Sequence, residues 1–146
     1  MIEGSGRKIH IFVVEDNPGD VHLLRMALRA AKLNCELTVV EDGREALDFV
    51  QRRGKYENTS VPDLALLDLN LPKNDGIEIL EAMRANPALA GVPVAILSSS
   101  SSPHDQARVA RFHISRFIAK PPDLDQYLEI GVIIRQLLLE TGSRDL

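Results

Sequence analysis

Two shortages in the sequence, of cysteine and of long apolar runs, exclude several classes of protein. Cys35 is the only cysteine, so the chain cannot form an intramolecular disulfide, and no Cys/His spacing resembles that of a zinc site. No apolar run approaches the roughly 20 residues that span a bilayer, and the N-terminus has no signal-peptide core. We therefore expect a cytoplasmic protein without a membrane partner.

Clusters of positive charge are also lacking. The chain has 17 Lys and Arg against 21 Asp and Glu, a formal net charge of -4, and no basic run is longer than two or three residues. A nucleic-acid partner is therefore not expected. The 146 residues are enough for one domain with a real core, which we place at residues 9–140 between polar tails at 1–8 and 141–146.

The sequence does contain five short apolar segments that alternate with helical patterns. Several helix starts carry capping signals, such as Asn17 before Pro18 and Asp42 three residues before Glu45. Strands separated by helices predict parallel pairing and an open α/β sheet with helices on both faces. The predicted strands span 9–14, 37–40, 63–67, 93–97 and 116–119. The predicted helices span 18–31, a segment after the Asp42 cap, 76–85, 104–112 and 123–140.

Chemically active side chains follow four of these five strands. Glu15 and Asp16 follow the first strand, Asp68 the third, Ser98 the fourth and Lys120 the fifth. Open α/β sheets bind ligands at the carboxyl ends of their strands. The order of the sequence therefore predicts that three acids, a hydroxyl and an ammonium meet at one edge of the sheet.

This combination of groups predicts a phosphoryl-transfer site. Three carboxylates in one pocket repel one another, and Mg²⁺, which prefers oxygen ligands, resolves the repulsion. Asp68 would attack phosphorus, while Lys120 and Ser98 would contact the transferred oxygens. Each feature alone has an ordinary alternative, such as a solvated helix start for Glu15-Asp16, and only their joint placement is specific.

Four motifs resemble those of bacterial response-regulator receiver domains: VVEDN at 13–17, LLDLNLPKNDG at 66–76, PVAILSSS at 93–100 and FIAKPP at 117–122. The resemblance extends over residues 8–138. It implies a flavodoxin-like fold with strand order 2-1-3-4-5. It also implies a single-domain response regulator that accepts a phosphoryl group from a histidine kinase and signals through a phosphorylation-dependent contact surface.

The resemblance assigns roles to the acidic residues. It implies that Asp68 is the phosphoacceptor, that Asp16 binds Mg²⁺ directly and that Glu15 binds it through water. The backbone carbonyl of Asn70 would complete the protein ligands. Apart from its own phosphorylation and dephosphorylation, the chain is not expected to act as an enzyme.

The resemblance also implies a conformational switch. Ser98 would be the switch hydroxyl, Phe117 the switch aromatic, and Lys120 the phosphate-binding lysine before a cis bond to Pro121. His113 stands where receiver domains commonly have glycine, so it must accept a left-handed backbone or end its helix differently.

Within the family, EDNPGD at 15–20 and the longer loop before the third strand resemble small regulators paired with phytochrome-type histidine kinases. Such regulators often dimerise through the face formed by the fourth helix, the fifth strand and the last helix. In this sequence the apolar residues of the last helix spread over more than one side. We therefore predict a homodimer with a partner surface at Ile134, Leu137 and Leu138. The alternative is a helix that lies deeper in the fold than usual, or one whose end frays. The output partner is expected to be another protein, whose identity the sequence does not give.

Other functions remain as alternatives: a phosphorelay intermediate, a pseudo-receiver that only docks proteins, or a phosphatase of the haloacid-dehalogenase type. Such phosphatases carry an Asp-x-Asp motif after their first strand. Here the corresponding residues are Asp68, Leu69 and Asn70 after the third strand, and asparagine cannot move protons. A DNA-binding output domain is not expected, because ten residues follow Gln136.

Overall fold

The computed structural model describes residues 8–69, 76–99 and 102–141. The five strands and five helices occur in the predicted order. The largest difference in a strand boundary is at the second strand, which begins two residues before the predicted start. The elements are β1 (Ile9–Val14), α1 (Pro18–Ala30), β2 (Cys35–Val40), α2 (Gly43–Val50), β3 (Leu64–Leu67), α3 (Gly76–Ala85), β4 (Val94–Ser98), α4 (Pro103–Ala110), β5 (Arg116–Ala119) and α5 (Leu124–Glu140).

The strands form one parallel sheet in the order β2-β1-β3-β4-β5, which confirms the predicted flavodoxin-like topology. The register aligns the strand ends: Val14 of β1 pairs with Leu67 of β3, and Ser98 of β4 pairs with Ala119 of β5. The residues that follow these four strands therefore lie along one edge of the sheet.

Alternate residues of each strand enter two separate hydrophobic cores, because successive side chains point to opposite faces. Phe12 and Val14 of β1 pack on the face covered by α2, α3 and α4. Ile11 and Val13 pack on the face covered by α1 and α5. On the first face the rings of Phe12 and Phe49 stack with centroids 3.9 Å apart.

The start of α1 is fixed by the residues that the sequence suggested. The Asn17 side chain accepts hydrogen bonds from the backbone N–H groups of Gly19 (2.8 Å) and Asp20 (3.3 Å), and Pro18 occupies the first turn. This cap lies three residues after Val14, the last residue of β1, and the helix begins at the next residue, Pro18. The first turn of α1, including Asp20, therefore lies beside the carboxyl end of β1.

Helix α5 packs unusually close to α1. A Cβ atom added at Gly131 would lie 2.1 Å from the carbonyl oxygen of Ala27, so the two backbones approach as closely as glycine allows. Because of this contact, α5 lies deeper in the fold than a helix with a single buried stripe. The structure therefore has the deeper helix that the sequence left open as an alternative.

The predicted partner surface at Ile134, Leu137 and Leu138 is therefore wrong. These side chains are 0%, 3% and 1% exposed and belong to the core between α5, α1 and the sheet. The apolar pattern of α5 led to a wrong prediction because the close contact with α1 buries more than one side of this helix. The large apolar side chains that α5 does expose are Leu124, Val132 and Leu139.

Two backbone expectations have opposite outcomes. His113 has φ 56°, so it adopts the left-handed conformation expected where glycine is common. The bond between Lys120 and Pro121 is trans, which corrects the implied cis bond; trans is the more stable form of an X–Pro bond by about 0.5–1 kcal/mol. Within the described ranges, no helix is both long and apolar enough to cross a membrane.

Candidate functional site

The two acids after β1 differ in their environment. Glu15 is buried, its backbone N–H donates to Val40 O (3.0 Å), and its Oε2 accepts from the backbone N–H of Asn17 (3.1 Å). Asp16 is exposed. One carboxylate therefore lies inside the site and the other at its rim.

Asp68 directly follows β3 and is also buried. Its backbone N–H donates to Val14 O (3.1 Å), which holds it beside the end of β1. One carboxylate oxygen each from Glu15, Asp16 and Asp68 lie within 4.8 Å of one another. Three oxygen donors at this spacing suit a hard divalent cation such as Mg²⁺. Asn70, the predicted fourth ligand, lies outside the described residues.

Lys120 points into this acidic pocket. Its Nζ lies 2.6 Å from Glu15 Oε1, 2.9 Å from Asp20 Oδ2 and 3.2 Å from Asp68 Oδ2. The side chain is only 10% exposed. The three N–H groups of the ammonium thus match three carboxylates in number, and the predicted convergence of Lys120 with Glu15 and Asp68 is found.

Burial and charge act against each other in this cluster. Burial raises the pKa of Glu15 to about 7, although the hydrogen bond and charge of Lys120 pull it down. Burial would lower the pKa of Lys120, but its contacts with Glu15 and Asp20 and the charge of Asp68 outweigh this and raise it. Lys120 therefore stays protonated at neutral pH, while Glu15 takes up a proton near neutrality more readily than an ordinary glutamate.

Ser98 and Phe117 lie on neighbouring strands beside the cluster. Ser98 ends β4 and is fully buried, and its carbonyl accepts from the backbone N–H of Lys120 (2.8 Å). Phe117 pairs with Ile96 across β4 and β5 and is half-buried against the core beneath α2, α3 and α4. The backbone thus connects the serine directly to the lysine of the site.

Asp20 is a site residue that the sequence analysis missed. It lies in the first turn of α1, and the hydroxyl of the buried Tyr127 donates to its carbonyl oxygen (3.3 Å). The available signal was its position, since a helix capped by Asn17 directly after β1 places its first turn at the ligand edge of the sheet.

Comparison with known proteins decides the family. The profile of the response regulator receiver domain matches residues 11–130. The chain is a response-regulator receiver domain. Among curated proteins, it is 36% identical to response regulator Rcp1 of Synechocystis sp. over 131 residues, which cover 90% of this chain and 89% of Rcp1.

Solved structures agree with this assignment. The receiver domain superposes on the phosphorylated cyanobacterial phytochrome response regulator RcpA with a TM-score of 0.85 and 38% identity, covering 93% of this chain and 97% of RcpA. It superposes on the Mn²⁺-bound form of Rcp1 with a TM-score of 0.81 and 35% identity, covering 91% and 96% of the two chains. The predicted resemblance to phytochrome-linked response regulators is confirmed. The family assignment removes the haloacid-dehalogenase alternative.

Proposed function

We propose that this receiver domain accepts a phosphoryl group from a histidine kinase onto Asp68, with Mg²⁺ as cofactor. The observation that supports this most strongly is the environment of Asp68. Its buried carboxylate lies 3.2 Å from the Lys120 ammonium and within 4.8 Å of oxygens from Glu15 and Asp16. A nucleophile, a metal-binding acid set and a fixed cation are the parts that phosphoryl transfer needs.

In the proposed reaction, a carboxylate oxygen of Asp68 attacks phosphorus and the N–P bond to the kinase histidine breaks. The product is an acyl phosphate, and the imidazole leaves as the kinase side chain. The ammonium of Lys120 and the hydroxyl of Ser98 donate to phosphoryl oxygens and stabilise the charge there. The hydrogen bond from the backbone N–H of Lys120 to the carbonyl of Ser98 (2.8 Å) keeps these two residues adjacent.

The metal would be held by Asp16 and Asp68, by Glu15 through water and by the backbone carbonyl of Asn70. A bound Mg²⁺ would supply positive charge that neutralises the phosphoryl oxygens. The acid set contains no cysteine or histidine, which suits a hard ion better than zinc or copper. Mg²⁺ is the choice we propose from this chemistry.

The proposed output is a conformational change at Ser98 and Phe117. A phosphoryl group adds roughly -1.5 to -2 charge and strong acceptor oxygens. Ser98 would turn toward it, and Phe117, which is half-buried at the margin of the core, would move further inward. This change would alter the surface near β5 that a downstream protein contacts.

The proposed upstream partner is a phytochrome-type histidine kinase in the cytoplasm, supported by the phytochrome response regulators among the similar structures.

We also infer a homodimer. Because the side chains first predicted to form its interface are buried, we place the interface at the exposed apolar side chains of α5. Val132→Glu and Leu139→Glu should shift the sedimentation of the protein toward the monomer. The control for added charge is Gln126→Glu, because Gln126 is exposed on the same helix but lies on a different side from Val132 and Leu139. A monomeric wild type would refute the dimer.

The experiment that tests the function is phosphotransfer from purified, ³²P-labelled histidine kinases of the phytochrome type, with and without EDTA. We expect label to leave the kinase and enter this protein only when Mg²⁺ is present. Undiminished transfer in EDTA would refute the metal assignment. A wild-type protein that takes no label from kinases or from acetyl phosphate would be the pseudo-receiver, and onward transfer to a second histidine protein would make it a relay.

A further inference from the structure

Lys120 has a carboxylate partner that the proposed chemistry does not use. Its ammonium contacts Glu15, Asp68 and Asp20. The first two belong to the acid set that suits a divalent cation, and Asp20 does not. Metal binding and phosphorylation would therefore engage both of the other partners and leave the contact with Asp20 intact.

Asp20 is well fixed for such a contact. Its backbone N–H donates to the Asn17 cap (3.3 Å), and its carbonyl accepts from the hydroxyl of Tyr127 (3.3 Å). Tyr127 is 2% exposed and lies on α5, so one residue of α1 is held from two sides. The carboxylate Oδ2 is 2.9 Å from Lys120 Nζ, within the range of a charge-assisted hydrogen bond.

The ammonium needs such a partner because a divalent cation in the acid set would repel it. Lys120 has a long, flexible stem, and without Asp20 nothing else in the described contacts of its ammonium lies outside the metal-binding acids. A lysine that moved away from the cation would no longer reach the phosphoryl group.

We propose that Asp20 is a positioning residue, which keeps the ammonium of Lys120 beside Asp68 when the divalent cation is bound. This inference rests on the proposed phosphorylation of Asp68 and adds a residue to that site. Asp20 itself would touch neither the metal nor the phosphoryl group, so its whole effect on phosphorylation would pass through Lys120.

The experiment has to separate the positioning of Lys120 from a purely structural role of Asp20. An acid in the first turn of a helix also stabilises that helix through the helix dipole. The test compares Asp20→Asn with Asp125→Asn, which removes an exposed acid from the first turn of α5. Both changes are made in the wild type and in Lys120→Met. The measured quantity is the phosphorylation rate at saturating acetyl phosphate and saturating Mg²⁺.

We expect Asp20→Asn to slow phosphorylation about tenfold in the wild-type background, the scale of one charge-assisted hydrogen bond. In Lys120→Met the same substitution should change the rate less than twofold, and Asp125→Asn should do so in either background. Equal slowing in both backgrounds, or no slowing in the wild type, would overturn the proposal.

A second measurement does not depend on phosphorylation. In the Mg²⁺-saturated protein, the ¹⁵N signal of the Lys120 ammonium should be sharp and slow to exchange, and Asp20→Asn should broaden or remove it. A signal unchanged by Asp20→Asn would refute the positioning role. If Asp20→Asn changes this signal but the wild-type protein takes no phosphate, the proposed function is refuted and the lysine contact stays supported.

Discussion

Replacing Lys120 with methionine tests how much the buried ammonium stabilises the acid cluster. The substitution keeps the length of the apolar stem and removes the charge that lies 2.6 Å from Glu15 and 3.2 Å from Asp68. Both carboxylates are buried, so water cannot fully replace the lost cation. The metal-free variant should therefore be less stable than the wild type at neutral pH.

The size of the loss follows from the distances and the burial. Unit charges about 3 Å apart interact by ~5 kcal/mol at an effective dielectric of 20. The cost of burying the ammonium offsets part of this, and removal of one partner of a buried ion pair typically costs about 3–5 kcal/mol. Protonation of Glu15, whose pKa burial raises to about 7, limits the loss. We expect the free energy of unfolding to fall by about 2–4 kcal/mol near pH 7.5.

The direction in which this stability loss changes with pH depends on the protonation of Glu15. Its pKa is higher in the folded protein than the ordinary value of 4.5, so the folded state binds the proton more tightly than the unfolded chain. Its contribution to stability is therefore fully present below the ordinary value and is lost as the pH rises through about 7. The deficit of Lys120→Met should accordingly shrink as the pH falls from about 7.5 toward 5.

The assay is urea unfolding followed by circular dichroism, in EDTA and with excess Mg²⁺. Mg²⁺ should restore most of the lost stability, because the cation binds the acids that the lysine no longer contacts. Lys55→Met is the control: Lys55 pairs with Glu45 at 3.2 Å but is 73% exposed, and such surface pairs contribute about 0–1 kcal/mol. A Lys120→Met variant as stable as the wild type in EDTA, or one indifferent to Mg²⁺, would refute the reasoning.

Two further predictions concern the fold. Gly131→Ala should lower the free energy of unfolding by about 1–3 kcal/mol, because the new methyl group would overlap the Ala27 carbonyl. The control is Gly91→Ala, whose methyl group would meet nothing within 4 Å. Equal melting temperatures for the two variants would contradict the close helix contact. Burial lowers the pKa of His10, so the unfolded chain binds this proton more readily and the wild type should lose stability as the pH falls below the ordinary value of about 6.5. His10→Gln should flatten the stability curve on that acid side, and an unchanged curve between about pH 7 and 5 would show that His10 does not titrate as described.

Much of the fold follows from local signals in the sequence. The strand at Ile9–Val14 and the helix at Gly76–Ala85 have the predicted bounds, because apolar runs and caps act through neighbouring residues. The convergence of Glu15, Asp68 and Lys120 was also predictable. It needed only the order of the elements and the rule that parallel strands end at the same edge.

Features that depend on contacts between distant elements could not be predicted in this way. The depth of α5 depends on the contact between Gly131 and Ala27. These residues are 104 positions apart, and no sequence motif indicates that they meet. The contacts of His10 were likewise not predictable, because its ring meets the hydroxyls of Thr38 and Ser60, at 2.8 and 3.1 Å, only in the folded chain. Asp20 lay within a motif that the sequence analysis noted, but its contact with Lys120 depends on the exact direction of the first turn of α1.

The central claim is that Asp68 carries the phosphoryl group, and the position of the modification tests it most directly. The protein is treated with acetyl phosphate and Mg²⁺, digested, and analysed by mass spectrometry, alongside Asp68→Asn. We predict one phosphoryl group on the peptide that contains Asp68, released by hydroxylamine as an acyl phosphate and absent from the variant. A hydroxylamine-resistant phosphate on Ser98 or its neighbouring serines, or labelling that persists in Asp68→Asn, would contradict the account.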